Sequence, residues 1–338
     1  MVGVTTPLYP HSWIFAGGRI TKTDLRGQNF SDALGSDPQA IGVIELARSH
    51  AFRLGSATEL GLDELAIEDL GSDSERGRLD LVGSLAVILT RTVQLDKASG
   101  DVVKRPLGLL LGPTLFAVVE DDDEFGALTD LLRTNCSRLA ADGTAGLLHA
   151  VLDHVVDGYT AVLTELENKA DALAEALFGD QPMNRAQQLE AFRLRRSLTG
   201  MRRVVEPMHD VTAKLTKAAG AEGHDLLDRL IPDRLQRDFA DVDDHVAHAA
   251  DILDGQRDVL SSLYETSLSL ADVRLNMVMK KLSAWAAIIA VPTLITGFMG
   301  MNVPYPGYGH EIGVIISVAV MAVAVVTLYL IFKRKDWL

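Results

Sequence analysis

The sequence predicts an α/β domain, then a long helical stalk, then two C-terminal transmembrane helices. Three observations carry that prediction. Leu282 to Met299 and Ile312 to Phe332 hold no formal charge, and each is close to the roughly 20 residues a spanning helix needs. Asp233 to Lys281 contains one glycine, Gly255, and no proline, as one continuous helix would. Residues 1–145 mix short apolar, β-branched runs with glycine and proline turn signals.

Within that first region, Leu79 to Leu95, Leu107 to Leu111 and Thr114 to Val119 read as strands. From Leu147 to Phe178 and from Asn184 to Ala219 the pattern turns helical, with Gly179-Asp180-Gln181-Pro182 as the break. The first of these helices carries Asp157, Glu165, Glu167, Asp171 and Glu175. The second carries Arg185, Arg193, Arg195, Arg196, Arg202 and Arg203, so the two are expected to pair as an antiparallel hairpin over residues 146–231, with ordinary packing and modest salt bridges.

The stalk is expected over 232–281, with Pro232 at its first turn. Continued to Val291, it would be about 90 Å long at the standard rise. Leu235, Phe239, Val242, Val246, Ala249 and Leu253 alternate steps of four and three, which makes a packing seam. A second stripe, Asp244, Asp251, Asp258, Glu265 and Asp272, recurs every seventh residue. On an ideal helix each of these acids lies within about 40° of Asn276, the last polar residue before the first span. Either they form a solvated outer face, or an oligomer presents them as rings of negative charge that concentrate cations.

The first span is expected over 282–300, an external loop over 301–311, the second span over 312–332 and a basic tail over 333–338. Lys280 and Lys281 precede the first span, and Lys333, Arg334 and Lys335 follow the second. The positive-inside rule then puts both ends in the cytoplasm, with the intervening loop outside. The first span points its C-terminal carbonyls at the outer mouth, which favours a cation. Two helices cannot enclose a pore, so a conducting protein needs several copies around an axis, and a residue in the loop is then repeated as a ring.

Composition narrows the classes. The chain has 338 residues, a formal net charge of -14 and a single cysteine, Cys136. That excludes disulfides, suits a reducing compartment for the large N-terminal part, and argues against nucleic acid as a partner. The first thirty residues lack the order of a signal peptide. No GxxxxGK[ST] loop, HExxH helix or nucleophile motif is present, so the sequence does not read as an enzyme. Transport without an ATP site would be passive, driven by about 2.3 kcal/mol per charge per 100 mV.

These residues resemble the CorA family of magnesium transporters. Gly300-Met301-Asn302 resembles the family's signature tripeptide, Pro292 to Gly297 the end of its pore-lining helix, and Asn276 to Leu282 the approach to that helix. Asp241-Val242-Asp243-Asp244-His245 and Arg257-Asp258 look like points of its stalk, and Lys333 to Leu338 like its basic tail. Leu60-Gly61-Leu62, Leu65 to Asp69 and Leu95-Asp96-Lys97 carry a thinner N-terminal likeness.

The resemblance implies a homopentameric funnel with cytoplasmic α/β/α domains, set in the plasma (inner) membrane with the lipid bilayer around its spans. It implies Mg2+ as the transported and regulatory ion, with Co2+ or Zn2+ as further cargo. Gly300, Met301 and Asn302 would form the filter, with Asn302 as a ring of neutral amides that hydrogen-bond the waters of a hydrated ion. Asn276, Met279, Leu282 and Thr293 would line the path or its gate. Asp96 and Asp241 would bind regulatory Mg2+ between neighbouring domains. Where many relatives carry a bulky apolar residue, Ala290 is small, and the proline is displaced to Pro292.

Two readings compete. Asp241, His245 and His248 at successive helical steps admit a zinc, cobalt or nickel site, although surface histidines look the same in sequence. The zinc branch more often carries isoleucine where Met301 stands, which leaves magnesium first. From another class, a membrane-anchored sensor or tether would conduct nothing and would tolerate Asn302→Ala.

Overall fold

The computed structural model describes residues 11–23, 32, 34–35, 37, 39–48, 70, 76–96, 99–121, 126–136, 139–177, 183–219, 225–301, 304 and 309–338. Its contacts divide the chain into two units, Met1–Leu260 and Ser261–Leu338.

The first unit is built on a seven-stranded sheet: β1 (His11–Ala16), β2 (Arg19–Thr23), β3 (Ile41–Ala47), β4 (Arg78–Val82), β5 (Leu85–Leu95), β6 (Val102–Leu111) and β7 (Leu115–Glu120). The spatial order is β2-β1-β3-β7-β6-β5-β4. Only β3 and β7 run parallel, with Glu45 opposite Val118 and Ala47 opposite Glu120. The run read from sequence as one strand, Leu79 to Leu95, folds back as the hairpin β4–β5, with Val82 opposite Leu85. Its turn rests on Gly83, whose φ of 60° is the positive value a II′ hairpin needs at its first central position.

Alternation along the strands gives the sheet two apolar faces. One carries Ile14, Ile44, Leu46, Val87, Leu89, Leu110 and Val119 in a buried cluster that also takes in Leu70, with Leu34 packed against it. The other carries Trp13, Val43, Ile88, Leu109, Phe116 and Val118, all buried. Against this second face packs α3 (Thr144–Leu177), preceded by the short α1 (Thr129–Asn135) and α2 (Leu139–Asp142). Tyr159 fastens α3 to β5: its hydroxyl donates to the Arg91 carbonyl at 2.8 Å and meets the Thr90 hydroxyl at 3.1 Å. Burial raises its pKa, so the phenol stays protonated.

A reciprocal capping box between Asn184 and Gln187 starts α4 (Arg185–Ala218). The short α5 (Leu226–Leu230) and a 3-10 turn, Asp233–Leu235, lead into α6 (Gln236–Met299). The seam read from sequence is buried throughout: Leu235, Phe239, Val242, Val246, Ala249 and Leu253 are at most 5% exposed. Gln256 and Leu260 continue it. Its partners are the chain's own helices. Phe239 stands edge-on to His149 of α3 with centroids 5.7 Å apart, and Thr216 of α4 donates to the Phe239 carbonyl at 3.0 Å. Gln256 donates to Glu167 of α3 at 3.1 Å. Arg202 of α4 pairs with Glu206 on its own helix and with Asp254 of α6 at 3.3 Å.

The second unit comprises the rest of α6 and α7 (Glu311–Arg334). Both are long and apolar enough to cross a membrane, with best-window mean hydropathies of 1.8 and 2.8. Near the end of α7 the Phe332 and Trp337 rings stack at 5.7 Å, and the Lys333 ammonium lies 5.9 Å from the Tyr329 ring centre. Aromatic and basic side chains of this kind favour a membrane interface.

Candidate ion pathway

α6 carries every pathway residue that the sequence singled out apart from the hinge and Asp96. The five acids Asp244, Asp251, Asp258, Glu265 and Asp272 are all exposed. On an ideal helix Asp244, Asp251 and Asp258 lie roughly 140–180° around the axis from the neighbouring seam residues. The seam faces the first unit's own core, so these three acids are turned away from it.

Asn276, Met279, Leu282 and Thr293 are exposed as well, Met279 at 60% and Leu282 at 63%. Steps of three carry the first three around about 120° of the helix surface, so within one chain they do not converge. The Thr293 hydroxyl donates to the Ile289 carbonyl at 2.8 Å and that of Thr296 to the Pro292 carbonyl at 3.0 Å. These bonds hold both hydroxyls along the helix, flanking the proline that interrupts its ladder.

At the outer end, the Gly300 N–H reaches the Thr296 carbonyl at 2.9 Å and the Met301 N–H the Phe298 carbonyl at 3.2 Å. A Cβ on Gly300 would lie 3.3 Å from the Thr296 oxygen, closer than side chains normally approach. Glycine therefore suits this tight helix end. Asn302 lies outside the described residues.

Asp96 sits at the end of β5, where its N–H bonds to the Asp101 carbonyl and Ser99 donates to its carboxylate at 2.7 Å. Asp241, His245 and His248 are exposed on the first turns of α6. Among the described residues no group of three His, Cys, Asp or Glu side chains stands ready to hold a metal.

Sequence reasoning missed a buried carboxylate pair, Glu45 and Glu120, which are 0% and 3% exposed. The signal was present: each follows apolar residues in a short strand and points to the face that Trp13 and Phe116 occupy. Glu45 is met by His11 at 3.1 Å and by the Thr129 hydroxyl, while its Oε1 is buried without a hydrogen-bond partner among the described residues. Burial raises its pKa despite these contacts. Glu120 accepts from the Gly126 N–H at 2.7 Å and the Leu128 N–H at 3.2 Å. Burial, with the Glu45 charge adding to it, pushes its pKa up to about 7. Glu120 also borders an open cavity of about 610 Å³ that His154, Asp157 and Glu165 help to line, which gives its proton a route to water.

A pH dependence follows from Glu120. As pH rises from about 4.5 to about 7, the unfolded chain has released a proton that the folded chain still holds, so stability falls across that window and stays lower above it. Glu120→Gln should flatten the fall, which amounts to no more than about 3 kcal/mol. Thermal melting of the detergent-solubilised chain at pH 5 and pH 8 measures it, and an unchanged difference between the two would refute the assignment.

An α/β domain continued by one helix into two bilayer-length apolar helices defines a membrane protein with a large domain outside the bilayer. The family model described as CorA-like Mg2+ transporter protein matches residues 54–334. The chain belongs to that family of metal-ion transporters, as the resemblance implied. The cobalt/magnesium transport protein CorA of Thermotoga maritima is 26% identical over 311 residues, which cover 90% of this chain and 84% of the relative. The complete structure of the CorA magnesium transporter from Methanocaldococcus jannaschii superposes with a TM-score of 0.73 at 19% identity, covering 97% of this chain and 99% of that one. The ZntB cytoplasmic domain from Vibrio parahaemolyticus matches 70% of this chain and 95% of its own with a TM-score of 0.55 at 11% identity, which shows a shared fold and nothing more.

Proposed function

We propose that copies of this chain assemble around an axis as a passive Mg2+ pathway through a cellular membrane, with α6 lining it and both termini in the cytoplasm. The observation that carries this reading is the acid stripe of α6. Its five carboxylates are exposed, Asp244, Asp251 and Asp258 on the face opposite the seam, and the stripe runs toward the apolar span. Repeated around an axis, it raises the local concentration of cations. Net charge supports cation over anion, and the membrane potential supplies the drive for an ion carrying two charges.

At the outer mouth the Asn302 amides form a neutral ring. Mg2+ keeps its waters, so the ring reads a hydrated ion through hydrogen bonds to those waters rather than by direct ligation. Met279 and Leu282, bare in the single chain, form apolar constrictions once copies surround the axis. The family relationship and the likeness to the cobalt/magnesium transport protein of Thermotoga support Mg2+, with Co2+ as a second cargo. Five copies is the expected number.

Flux of Mg2+, Co2+ and Zn2+ into liposomes under an imposed potassium diffusion potential tests the reading. Mg2+ entry that follows the imposed potential is expected. Preference for Zn2+ would turn attention to Asp241, His245 and His248, and absence of flux for all three ions would leave a non-conducting tether.

Regulation follows from two acids in the first unit. Asp96 at the end of β5 and Asp241 on α6 of the adjacent copy hold Mg2+ between domains, and that ion offsets the repulsion of an acidic assembly and keeps it closed. Asp96→Asn combined with Asp241→Asn should therefore keep liposomes conducting at cytoplasmic-side Mg2+ concentrations that shut the wild type. Identical closing curves for the two proteins would remove these acids from the gate.

A further inference from the structure

Two charged stripes on α3 and α4 are left unused by the chain's own packing. On α4, Arg185, Leu189, Phe192, Arg196 and Thr199 step by four and three residues, and all are exposed. Phe192 is 61% exposed and Leu189 49%. On α3, Asp157, Ala161, Thr164, Asn168, Asp171 and Glu175 follow the same steps, and again all are exposed. Such spacing makes a straight seam along a helix.

These seams lie opposite the faces already in use. Leu166, Ala170 and Leu173 of α3 and Leu194, Leu198 and Met201 of α4 are buried inside the first unit. Arg185, Arg196, Asp157, Asp171 and Glu175 make no ion pair or side-chain hydrogen bond among the described residues. One stripe is basic with two apolar residues at its centre. The other is acidic with small residues between its charges.

The heights match too. α3 runs parallel to α6, with His149 beside Phe239 and Glu167 beside Gln256. α4 runs antiparallel to it, with Thr216 beside Phe239 and Arg202 beside Asp254. Carried along, these two registers put Asp171 and Arg196 level with the same residue, Leu260. Rotation about an axis parallel to the helices preserves height, so Asp171 of one copy can meet Arg196 of the next.

We propose that the C-terminal end of the acidic stripe of α3, Asp171 and Glu175, docks on Arg196, Phe192 and Leu189 of α4 in a second copy of this chain, a head-to-tail contact that closes a ring. The inference rests on the axial assembly proposed above and names the surfaces that join its cytoplasmic part. Heterologous contacts of this kind generate rings when the rotation closes. Exposed ion pairs are individually weak, so the charges set orientation and register, while burial of Phe192 and Leu189 against the last turns of α3 supplies the attraction. The chain's surplus of acid elsewhere makes wrong dockings of α3 repulsive.

Cysteine crosslinking of the full chain in membranes tests it. With Asp171→Cys and Arg196→Cys in one chain, a short bismaleimide should give a ladder of covalent multimers. Either variant alone should give none, and the two single variants co-expressed should give dimers and nothing longer. Native Cys136 is buried, and the wild type serves as its control. Ladder yield should drop several-fold in about 1 M salt, where the Debye length is about 3 Å. As a second measurement, Arg196→Asp should weaken the low-salt assembly several-fold by native mass spectrometry, and adding Asp171→Arg should restore it. A multimeric wild type whose double-cysteine variant stays single on the gel, or a single variant that crosslinks to itself, overturns the docking and leaves the axial assembly standing. A wild type that is monomeric by mass ends both.

Discussion

Asn302→Ala is expected to cut Mg2+ flux into liposomes by well over tenfold while leaving assembly and melting temperature unchanged. The reasoning starts from the ion. Mg2+ holds its inner waters tightly and in a fixed octahedron, so an opening that selects it has to recognise those waters. Polarised by the metal, each presents its hydrogens outward and needs an acceptor, which the amide carbonyl of asparagine supplies. A hydrogen bond to a charged partner contributes about 1.5–3 kcal/mol, and in an axial assembly one substitution deletes every copy of it at once. The expected loss is therefore far larger than for a lone surface contact. Asn302→Asp separates recognition from charge: a ring of carboxylates binds the ion more strongly and slows its exit, so flux should fall while the ion concentration for half-maximal flux also falls. Asn302→Ala proteins that carry Mg2+ at the wild-type rate would remove the filter from this hinge.

How much of this was legible in sequence depends on whether each signal is local. The α6 seam was readable because its steps of four and three are a property of one helix, and Phe239, Val242 and Val246 are buried as that pattern requires. The two apolar helices of bilayer length were readable from length and charge alone. Strand order was not, because pairing β3 with β7 across Gly42–Glu120 is a long-range choice that no short window encodes. The β4–β5 hairpin was read as a single strand because its turn is announced by little more than Gly83, whose role depends on a positive φ.

Charge was the hardest signal to interpret. Opposite signs on α3 and α4 were read as modest salt bridges added to ordinary packing, and of those arginines Arg202 pairs with its own helix and with α6. Glu45 and Glu120 went unread because strand alternation alone does not tell a solvated face from a covered one, and here α1 and α3 cover that face and bury both carboxylates. Identical residues are solvated or buried depending on what another part of the chain lays over them. The proposed pathway residues show the same limit one level up, since Asn276, Met279 and Leu282 are exposed in one chain and the role proposed for them requires further copies.

The largest loss of stability is expected from Phe239→Ala. Phe239 is fully buried at the top of the α6 seam, edge-on to His149 of α3, and its carbonyl takes the Thr216 hydroxyl of α4. Three helices therefore meet at this residue. Truncation removes its transfer free energy and leaves a cavity that helices pinned by Gln256–Glu167 and Arg202–Asp254 cannot collapse around, a cost of about 3–5 kcal/mol. For a domain of this size that lowers the melting temperature by about 6–15 °C. Phe192→Ala provides the contrast, because that ring is 61% exposed and its removal from a single copy should cost no more than about 0.5 kcal/mol. Scanning calorimetry of the two variants in detergent separates the readings: a Phe239→Ala protein that melts with the wild type would mean that α6 is not held against α3 and α4 by this seam. The register that sets Asp171 level with Arg196 would then lose its basis as well.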